Sequence, residues 1–281
     1  MPWPYDLDID FPDENSNEFS DEAVKEDVRD FFTNPDHFLY QKWGEKANHS
    51  RMEDPYHKKQ IQVLFEGREY WHWVTDRAIT ELLEEGFLKE VRTDNTIFVM
   101  RSDVRYYKQK IKKRMKLIRR YSDPYISRGY GVYAEDLFRM TLEIEGFRTL
   151  SKNTNEYDNS IWEETDHNLD FIIEKEGIVY GVEVKNTLDY IEQEEFNIKL
   201  EMCEYFGIIP LWILRNAPGL QFMVMKLRGG FIMRFGTQFY PPGFRRLVRD
   251  IWNTMRLPVN VWRSIPEKII NVFLNFHSQQ I

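Results

Sequence analysis

Three charged residues in two neighbouring apolar segments have types and spacing suited to phosphodiester chemistry. Asp170 begins the segment LDFIIEK, and Glu183 and Lys185 lie in GIVYGVEVK, which follows a turn at 175–177. Residues two apart in a strand point to the same face, so a hairpin would bring Asp170 alongside Glu183 and Lys185. Two carboxylates at one strand end suit a hard divalent cation. A lysine beside them can orient or help deprotonate a water, or stabilise negative charge, which phosphodiester hydrolysis requires.

The same three residues also allow a structural interpretation. Charged side chains on half-exposed strands are common, and Glu183 and Lys185 would then form a cross-strand ion pair that faces solvent. Buried strands rarely tolerate three charged side chains without a salt bridge, a metal ion or a strand edge to compensate them. The two strands alone leave both interpretations open.

The order Asp170, then Glu183-Val184-Lys185, resembles the D-x(n)-E-x-K core of the PD-(D/E)XK nuclease superfamily. That superfamily includes type II restriction endonucleases, Mrr-like enzymes and archaeal Holliday-junction resolvases. The resemblance covers about residues 130–216. Upstream, Glu135 lies in a predicted helix, at the place of the family's accessory glutamate. The sequence departs from the family at Leu169, which stands where the family name has proline, so the branch and the substrate stay open.

The resemblance implies a site as well as a fold. Asp170, Glu183 and the carbonyl of Val184 would ligate Mg²⁺, with Mn²⁺ expected to substitute for it. Lys185 would position or activate the attacking water, and Glu135 would support a metal ion or a bound water. The implied fold is a restriction-endonuclease-like mixed sheet flanked by helices.

The second half of the chain has elements in an order that can position this site. The pattern predicts a helix over 132–146, three strands that include the hairpin just described, a helix over 189–206 and a strand over 208–214. It then predicts a pair of strands, FMVMKL and GFIMRF, joined at residues 228–230, and two terminal helices. Residues 152–168 are expected to form a polar loop. This order predicts an α/β fold with helices covering a mixed sheet.

The first half is predicted to be mainly helical. Short helices over residues 55–85 lead into FLKEVRTDNTIFVMR, whose alternation around a turn at 93–95 predicts a hairpin. Helices followed by such a hairpin resemble a winged helix-turn-helix; an ordinary helical core with a hairpin lid is the alternative. We expect an acidic arm over 1–20, a winged-helix-like DNA-binding domain over 21–121 and a nuclease domain over 130–281. The Pro- and Gly-containing stretch 122–131 is the expected boundary.

A strongly basic helix is predicted over 102–120. Residues 101–130 contain 11 Lys and Arg against 2 Asp and Glu, although the whole chain has a formal net charge of -8. Nucleic-acid binding follows the local field and not the sum, so this helix is a candidate DNA-binding surface. A solvated helix face is the alternative. The candidate contacts to DNA are Lys108, Lys112, Lys113, Lys116, Arg119 and Arg120.

Other residues have plainer interpretations. His167 is interpreted as a solvated loop histidine. Glu194 and Glu195 suit the dipole at the start of the next helix, so they are expected to cap it and not to catalyse. Asn186 would end its strand or contact a phosphate. Cys203 follows an apolar stripe and is expected in the core.

Composition excludes several classes of protein. With Cys203 as the only cysteine, neither a disulfide framework nor a Cys-based zinc site is possible. No run of about 18 apolar residues predicts a transmembrane helix, and we expect no membrane partner. The N-terminal residues lack the basic and apolar regions of a signal peptide, so we expect a cytoplasmic, intracellular location.

The sequence therefore favours a Mg²⁺-dependent DNA endonuclease that acts on double-stranded DNA. Two alternatives stay open: a winged-helix DNA-binding protein whose nuclease-like domain is inert, and a junction- or RNA-directed nuclease. The intact Asp-Glu-Lys trio argues against the inert protein. The resemblance also implies a homodimer, since such nucleases often pair subunits to cut two strands.

Overall fold

A computed structural model describes residues 20–43 and 49–281 of the chain. Residues 1–19 of the expected acidic arm lie outside this range. The chain divides into two compact units. The first contains the described residues up to Ser122 together with Arg249–Pro258, and the second contains Asp123–Val248 together with Val259–Ile281.

The first unit is mainly helical and contains one small sheet. Its elements are α1 (Asp21–Thr33), α2 (Phe38–Lys42), α3 (His49–Met52), β1 (Tyr56–His57), α4 (Lys58–Phe65), α5 (His72–Glu84), β2 (Leu88–Thr93), β3 (Thr96–Arg101) and α6 (Lys108–Tyr121).

The predicted hairpin is confirmed: β2 and β3 pair antiparallel, with Thr93 opposite Thr96. β1 pairs with β3 on its other side, so the sheet has the order β1-β3-β2. The sheet thus lies in a segment with the order helix, strand, two helices and hairpin. The helices bury one apolar core, which includes Val28, Phe31 and Ile79.

The basic helix begins later than predicted. The expected helix covered 102–120, but α6 starts at Lys108. Tyr106 has a φ of 59°, in the left-handed region that interrupts a right-handed helix. Residues 102–107 therefore form a separate connection between β3 and α6.

The second unit is built on a five-stranded sheet. Its elements are α7 (Pro124–Ile144), β4 (Arg148–Thr154), β5 (Glu156–Tyr157), β6 (Ser160–Ile161), β7 (Leu169–Lys175), β8 (Ile178–Lys185), α8 (Gln193–Phe206), β9 (Ile209–Leu214), α9 (Gly219–Leu227), β10 (Phe231–Arg234), β11 (Gln238–Tyr240), α10 (Arg245–Met255, whose last turns belong to the first unit), β12 (Val259–Val261) and α11 (Glu267–Ser278).

The predicted α/β class is confirmed. The sheet has the order β10-β9-β8-β7-β4, in which β4, β7 and β8 pair antiparallel while β8, β9 and β10 pair parallel. β8, which carries Glu183 and Lys185, is the central strand. Two predicted elements differ from the structure, the segment FMVMKL and the polar stretch 152–168.

The segment FMVMKL is helical, so the predicted pairing of FMVMKL with GFIMRF is wrong. α9 begins after Pro218 and ends before Gly229, whose φ is 69°. β10 then pairs parallel with β9. Parallel neighbours need a crossover connection, and α9 provides it.

The expected boundary at 122–131 contains the first two turns of α7. Asp123 caps this helix by accepting hydrogen bonds from the N–H groups of Tyr125 and Ile126. Pro124 occupies the first helical position, where its missing N–H costs nothing. Within the polar stretch 152–168, β5 and β6 form a short hairpin.

Gly181 allows α8 to lie close against β8. A Cβ atom at this position would come within 2.7 Å of Sγ of Cys203 and 2.9 Å of Cδ1 of Leu169. Cys203 is fully buried in the core under α8, as predicted. Since Gly181, Glu183 and Lys185 point to the same face of β8, this close approach brings α8 over both charged residues.

Candidate active site

The structure brings Asp170 and Glu183 together at one end of the β7–β8 hairpin. Phe171 pairs with Val182, so the next position of the same register sets Asp170 opposite Glu183. The N–H of Val184 donates to Oδ2 of Asp170 at 2.7 Å. The N–H and carbonyl of one strand residue point to the same side, so the carbonyl of Val184 also faces β7.

Glu183 is the most deeply buried charged group of the site, with 0% of its surface exposed. Its Oε2 accepts a short hydrogen bond from Nζ of Lys199 in α8. Its Oε1 lies 3.0 Å from Nζ of Lys185 but makes no hydrogen bond among the described residues. One oxygen of Glu183 is therefore held firmly, and the other still has capacity to accept.

Lys185 lies between two carboxylates. Its Nζ is 3.0 Å from Glu183 and 2.8 Å from Oε1 of Glu195. Burial disfavours the charged form of this lysine, but Glu183 and Glu195 outweigh burial, so the pKa of Lys185 is raised. The raised pKa keeps Lys185 protonated, so its ammonium group is a hydrogen-bond donor.

Glu195 and Lys199 belong to the site, although the sequence analysis assigned Glu195 to helix capping and did not consider Lys199. They lie four residues apart on α8, with Nζ of Lys199 3.4 Å from Oε1 of Glu195. Burial opposes ionisation of Glu195, but Lys185 and Lys199 outweigh it and lower its pKa. A signal was present: Lys199 interrupts the apolar stripe of Phe196, Leu200 and Cys203, and it is only 5% exposed.

Asp170 and Glu135 hold protons more tightly than ordinary carboxyl groups. Burial raises the pKa of Asp170 well above its usual range, and the nearby charge of Glu183 raises it further. Burial likewise raises the pKa of Glu135 on α7, with a further contribution from Glu183. Glu135, Asp170 and Glu183 are thus close enough to repel one another.

The charges of this group do not balance. Among the described residues of the site, four carboxylates face two ammonium groups, which leaves a formal charge of four minus two, or two negative charges, when all are ionised. The carboxylates are Glu135, Asp170, Glu183 and Glu195; the ammonium groups are those of Lys185 and Lys199.

The donor set fits a hard divalent cation. It offers carboxylate oxygens and the Val184 carbonyl, which are ligands that Mg²⁺ prefers over nitrogen or sulfur donors. Oε1 of Glu183 is buried, makes no hydrogen bond among the described residues and lies 3.0 Å from Nζ of Lys185, so a cation bound to it would lie beside that ammonium group. Asp170 and Glu183, opposite one another on β7 and β8, are the candidate residues for such an ion.

The side chain of Asn186 has a structural role. Its amide nitrogen donates to the carbonyls of Tyr130 and Phe239, and its side-chain oxygen accepts from the N–H of Phe239. These bonds fasten the end of β8 to α7 and β11, so the amide is engaged by the backbone. His167 contacts Thr165, with Nδ1 3.1 Å from Oγ1.

All six candidate DNA contacts on α6 are exposed. Arg119 pairs with Asp94, and Arg120 lies 3.1 Å from Asp250. The remaining four form no ion pair within the part of the chain that the structure describes: Lys108, Lys112, Lys113 and Lys116. The apolar face of α6, with Ile111 and Met115, is buried. The basic face is thus held out to solvent.

A separate group in the first unit, Asp27, Asp30 and His37, has ligand atoms within 4.8 Å of one another, and among the described residues Glu135, Asp170 and Glu183 do not form such a set. Nδ1 of His37 accepts from the N–H of Leu39, so its Nε2 carries the proton and lies 3.1 Å from Asp27. Oδ2 of Asp30 accepts from Asn34. These bonds join α1 to the start of α2, which gives the group a structural role.

No model of a protein family matches the sequence, and no curated protein matches it. The nuclease resemblance therefore depends on the residues themselves. Among the described residues, no helix combines the length and apolar character needed to cross a membrane.

Proposed function

We propose that this protein is a Mg²⁺-dependent endodeoxyribonuclease that hydrolyses phosphodiester bonds at Asp170, Glu183 and Lys185. One observation carries the proposal: a partly buried group of four carboxylates and two ammonium groups around the fully buried Glu183, in which Asp170 and Glu135 have raised pKa values. Such an arrangement costs stability unless a cation neutralises it. Functional sites are where groups of this kind concentrate.

Asp170 and Glu183, with the carbonyl of Val184, would hold the ion, and Glu135 would support it. A divalent cation there would lower the pKa of a water and offset the charge that develops on the phosphate. The fixed N–H of Val184 and the ammonium of Lys199 keep the two ligand carboxylates in place. Preorganised ligands of this kind need little rearrangement during the reaction.

Under this proposal Lys185 acts as a hydrogen-bond donor. Its raised pKa keeps it charged, so it would orient the attacking water or donate to a phosphate oxygen. This property favours charge stabilisation over deprotonation of the water. Glu195, whose pKa is lowered, stays ionised and holds Lys185 in position.

The basic face of α6 would contact the phosphate backbone. Carboxylates repel phosphate until a cation is present, so an acidic site benefits from a basic surface elsewhere on the chain. Double-stranded DNA is the expected substrate because of the winged-helix resemblance of the first unit. A homodimer that cuts both strands follows from the nuclease resemblance, and sedimentation of the full chain tests it.

The direct test incubates the full chain with plasmid, single-stranded, branched and RNA substrates in Mg²⁺, in Mn²⁺ or in EDTA. We expect cleavage of DNA in either metal ion, none in EDTA, and none by Asp170→Asn. Cleavage of RNA alone would favour the RNA-directed alternative, and cleavage of branched DNA alone would favour a junction nuclease. Binding without cleavage in any metal ion would contradict the proposal and favour the inert DNA-binding protein.

A further inference from the structure

Tyr106 has an unusual combination of exposure and backbone conformation. It is 93% exposed, the largest exposure of any large apolar or aromatic side chain in the described residues. Its φ of 59° lies in the left-handed region that bulky residues rarely adopt. A strained residue gains nothing for folding from a ring that stands in water, so such outliers point to function.

The connection that carries Tyr106 is nevertheless well fixed. Nζ of Lys89 donates to the carbonyls of Ser102 and Val104. The same Nζ lies 5.0 Å from the ring centroid of Tyr107. The ring of Tyr107 is therefore covered by a cation, whereas its neighbour Tyr106 has no ring contact or hydrogen bond within the described residues.

Cations surround the exposed ring in the sequence. Arg105 precedes it and Lys108 begins α6, and both are exposed and form no ion pair within the described ranges. One and two turns further along α6 come Lys112 and Lys116, also exposed. An aromatic ring beside a row of unpaired cations is the combination with which proteins bind single-stranded nucleic acid. The cations hold phosphates, and the ring stacks on a base.

The geometry points to Tyr106 as a stacking platform for an unpaired nucleobase of DNA bound along α6. This inference rests on the proposed function and narrows its substrate. In an intact duplex each base face is covered by its neighbours, whereas single strands and branches expose them. The preferred substrate is therefore a duplex with adjoining unpaired bases, such as a single-stranded overhang or a branch.

The test measures affinity of the full chain in EDTA, by fluorescence anisotropy, for a duplex with a single-stranded overhang and for the same DNA with abasic sites along the overhang. Asparagine adopts the left-handed conformation readily, so Tyr106→Asn removes the ring without harming the fold. We expect Tyr106→Asn to bind the normal overhang about tenfold more weakly and the abasic one as the wild type does. Tyr106→Phe, which keeps the ring, should bind both as the wild type does.

Equal affinities of the wild type and Tyr106→Asn for the normal overhang would overturn the stacking inference, and so would an equal loss on normal and abasic DNA. Neither result bears on the chemistry at Asp170. Conversely, the protein could bind DNA through Tyr106 and show no Mg²⁺-dependent cleavage. That result would contradict the proposed nuclease function and would still support the stacking inference.

Discussion

Asp54 in the first unit and Glu183 in the second are both carboxylates that contact two or more cationic side chains. Asp54 accepts from Arg114 at 2.6 Å and lies 2.8 Å from Nζ of Lys110, with Arg51 at 3.9 Å. Arg114 is only 4% exposed. There one carboxylate faces several cations. Around Glu183 the balance is reversed, because carboxylates outnumber cations.

The comparison separates a structural cluster from a candidate site. Asp54 neutralises the buried Arg114 and joins α6 to the start of β1. Removing either partner would leave the charge of the other without its counter-charge. At Glu183, by contrast, Lys185 and Lys199 offset only part of the charge of the four carboxylates among the described residues of the site. The first arrangement stabilises the fold, whereas the second lowers stability, and under our proposal a bound cation would relieve the repulsion.

The largest effect should be seen in catalysis. We expect Asp170→Asn to lower the rate of Mg²⁺-dependent cleavage by about a thousandfold or more, since a metal ion contributes several kcal/mol of charge stabilisation. The matched variant Asp54→Asn, assayed where it is fully folded, should cut at the wild-type rate. A plasmid-nicking time course measures both. Wild-type cleavage by Asp170→Asn would show that the site is misassigned.

The second effect is on stability and concerns Asp54. Asp54→Asn should lower the free energy of unfolding by about 3–5 kcal/mol, because it removes the carboxylate that pairs with the buried guanidinium of Arg114. Urea denaturation in EDTA measures the loss. A loss of stability no larger than that of an ordinary surface substitution would show that Asp54 does not have the structural role assigned to it.

Asp170→Asn should change stability in the opposite direction. Burial and Glu183 raise the pKa of Asp170, so the folded chain binds more protons than the unfolded one between about pH 4 and the raised pKa. The stability of the wild type therefore falls as pH rises through this window. In EDTA near about pH 7 the variant should be more stable than the wild type, and the difference should shrink as the pH is lowered toward about 4. A variant that is less stable at both values would contradict the pKa shift.

The smallest effect is expected on DNA affinity, when exposed charges of α6 are changed. Charge reversal at Lys112, Lys113 and Lys116 should weaken binding to all DNA sequences and reduce the slope of log affinity against log salt by about 0.9 for each lost phosphate contact. Arg228→Glu provides a control, since this exposed arginine pairs with Glu204 in the other unit. An unchanged slope would show that the basic face of α6 does not contact DNA and is a solvated helix face.

Local patterns made the strands of the site predictable. The alternation around 175–177 gave the β7–β8 hairpin and placed Asp170, Glu183 and Lys185 together, and the same reasoning gave the β2–β3 hairpin. Both depend on contacts between residues close in sequence, where turn chemistry and the two-residue period decide the pairing.

Contacts between distant residues were not predictable in the same way. Lys199 reaches Glu183 because Gly181 lets α8 approach β8, and no periodic pattern reports such an approach. The apolar segment of α9 looks like a strand by composition, and the parallel pairing of β9 with β10 decides that it is a helix. The late start of α6 depends on the positive φ of Tyr106. A tyrosine rarely adopts this conformation, so the sequence does not predict it.

Calorimetric titration of the metal-free full chain with Mg²⁺ or Mn²⁺ tests the central claim most directly. Two surplus negative charges predict one divalent cation per chain, bound with release of protons from Asp170 or Glu135, so that affinity rises with pH by up to about tenfold per pH unit for each proton displaced. Asp170→Asn should lose this binding, and Asp54→Asn should keep it. Absence of binding by the wild type, or undiminished binding by Asp170→Asn, would contradict the assignment of this group as a cation site.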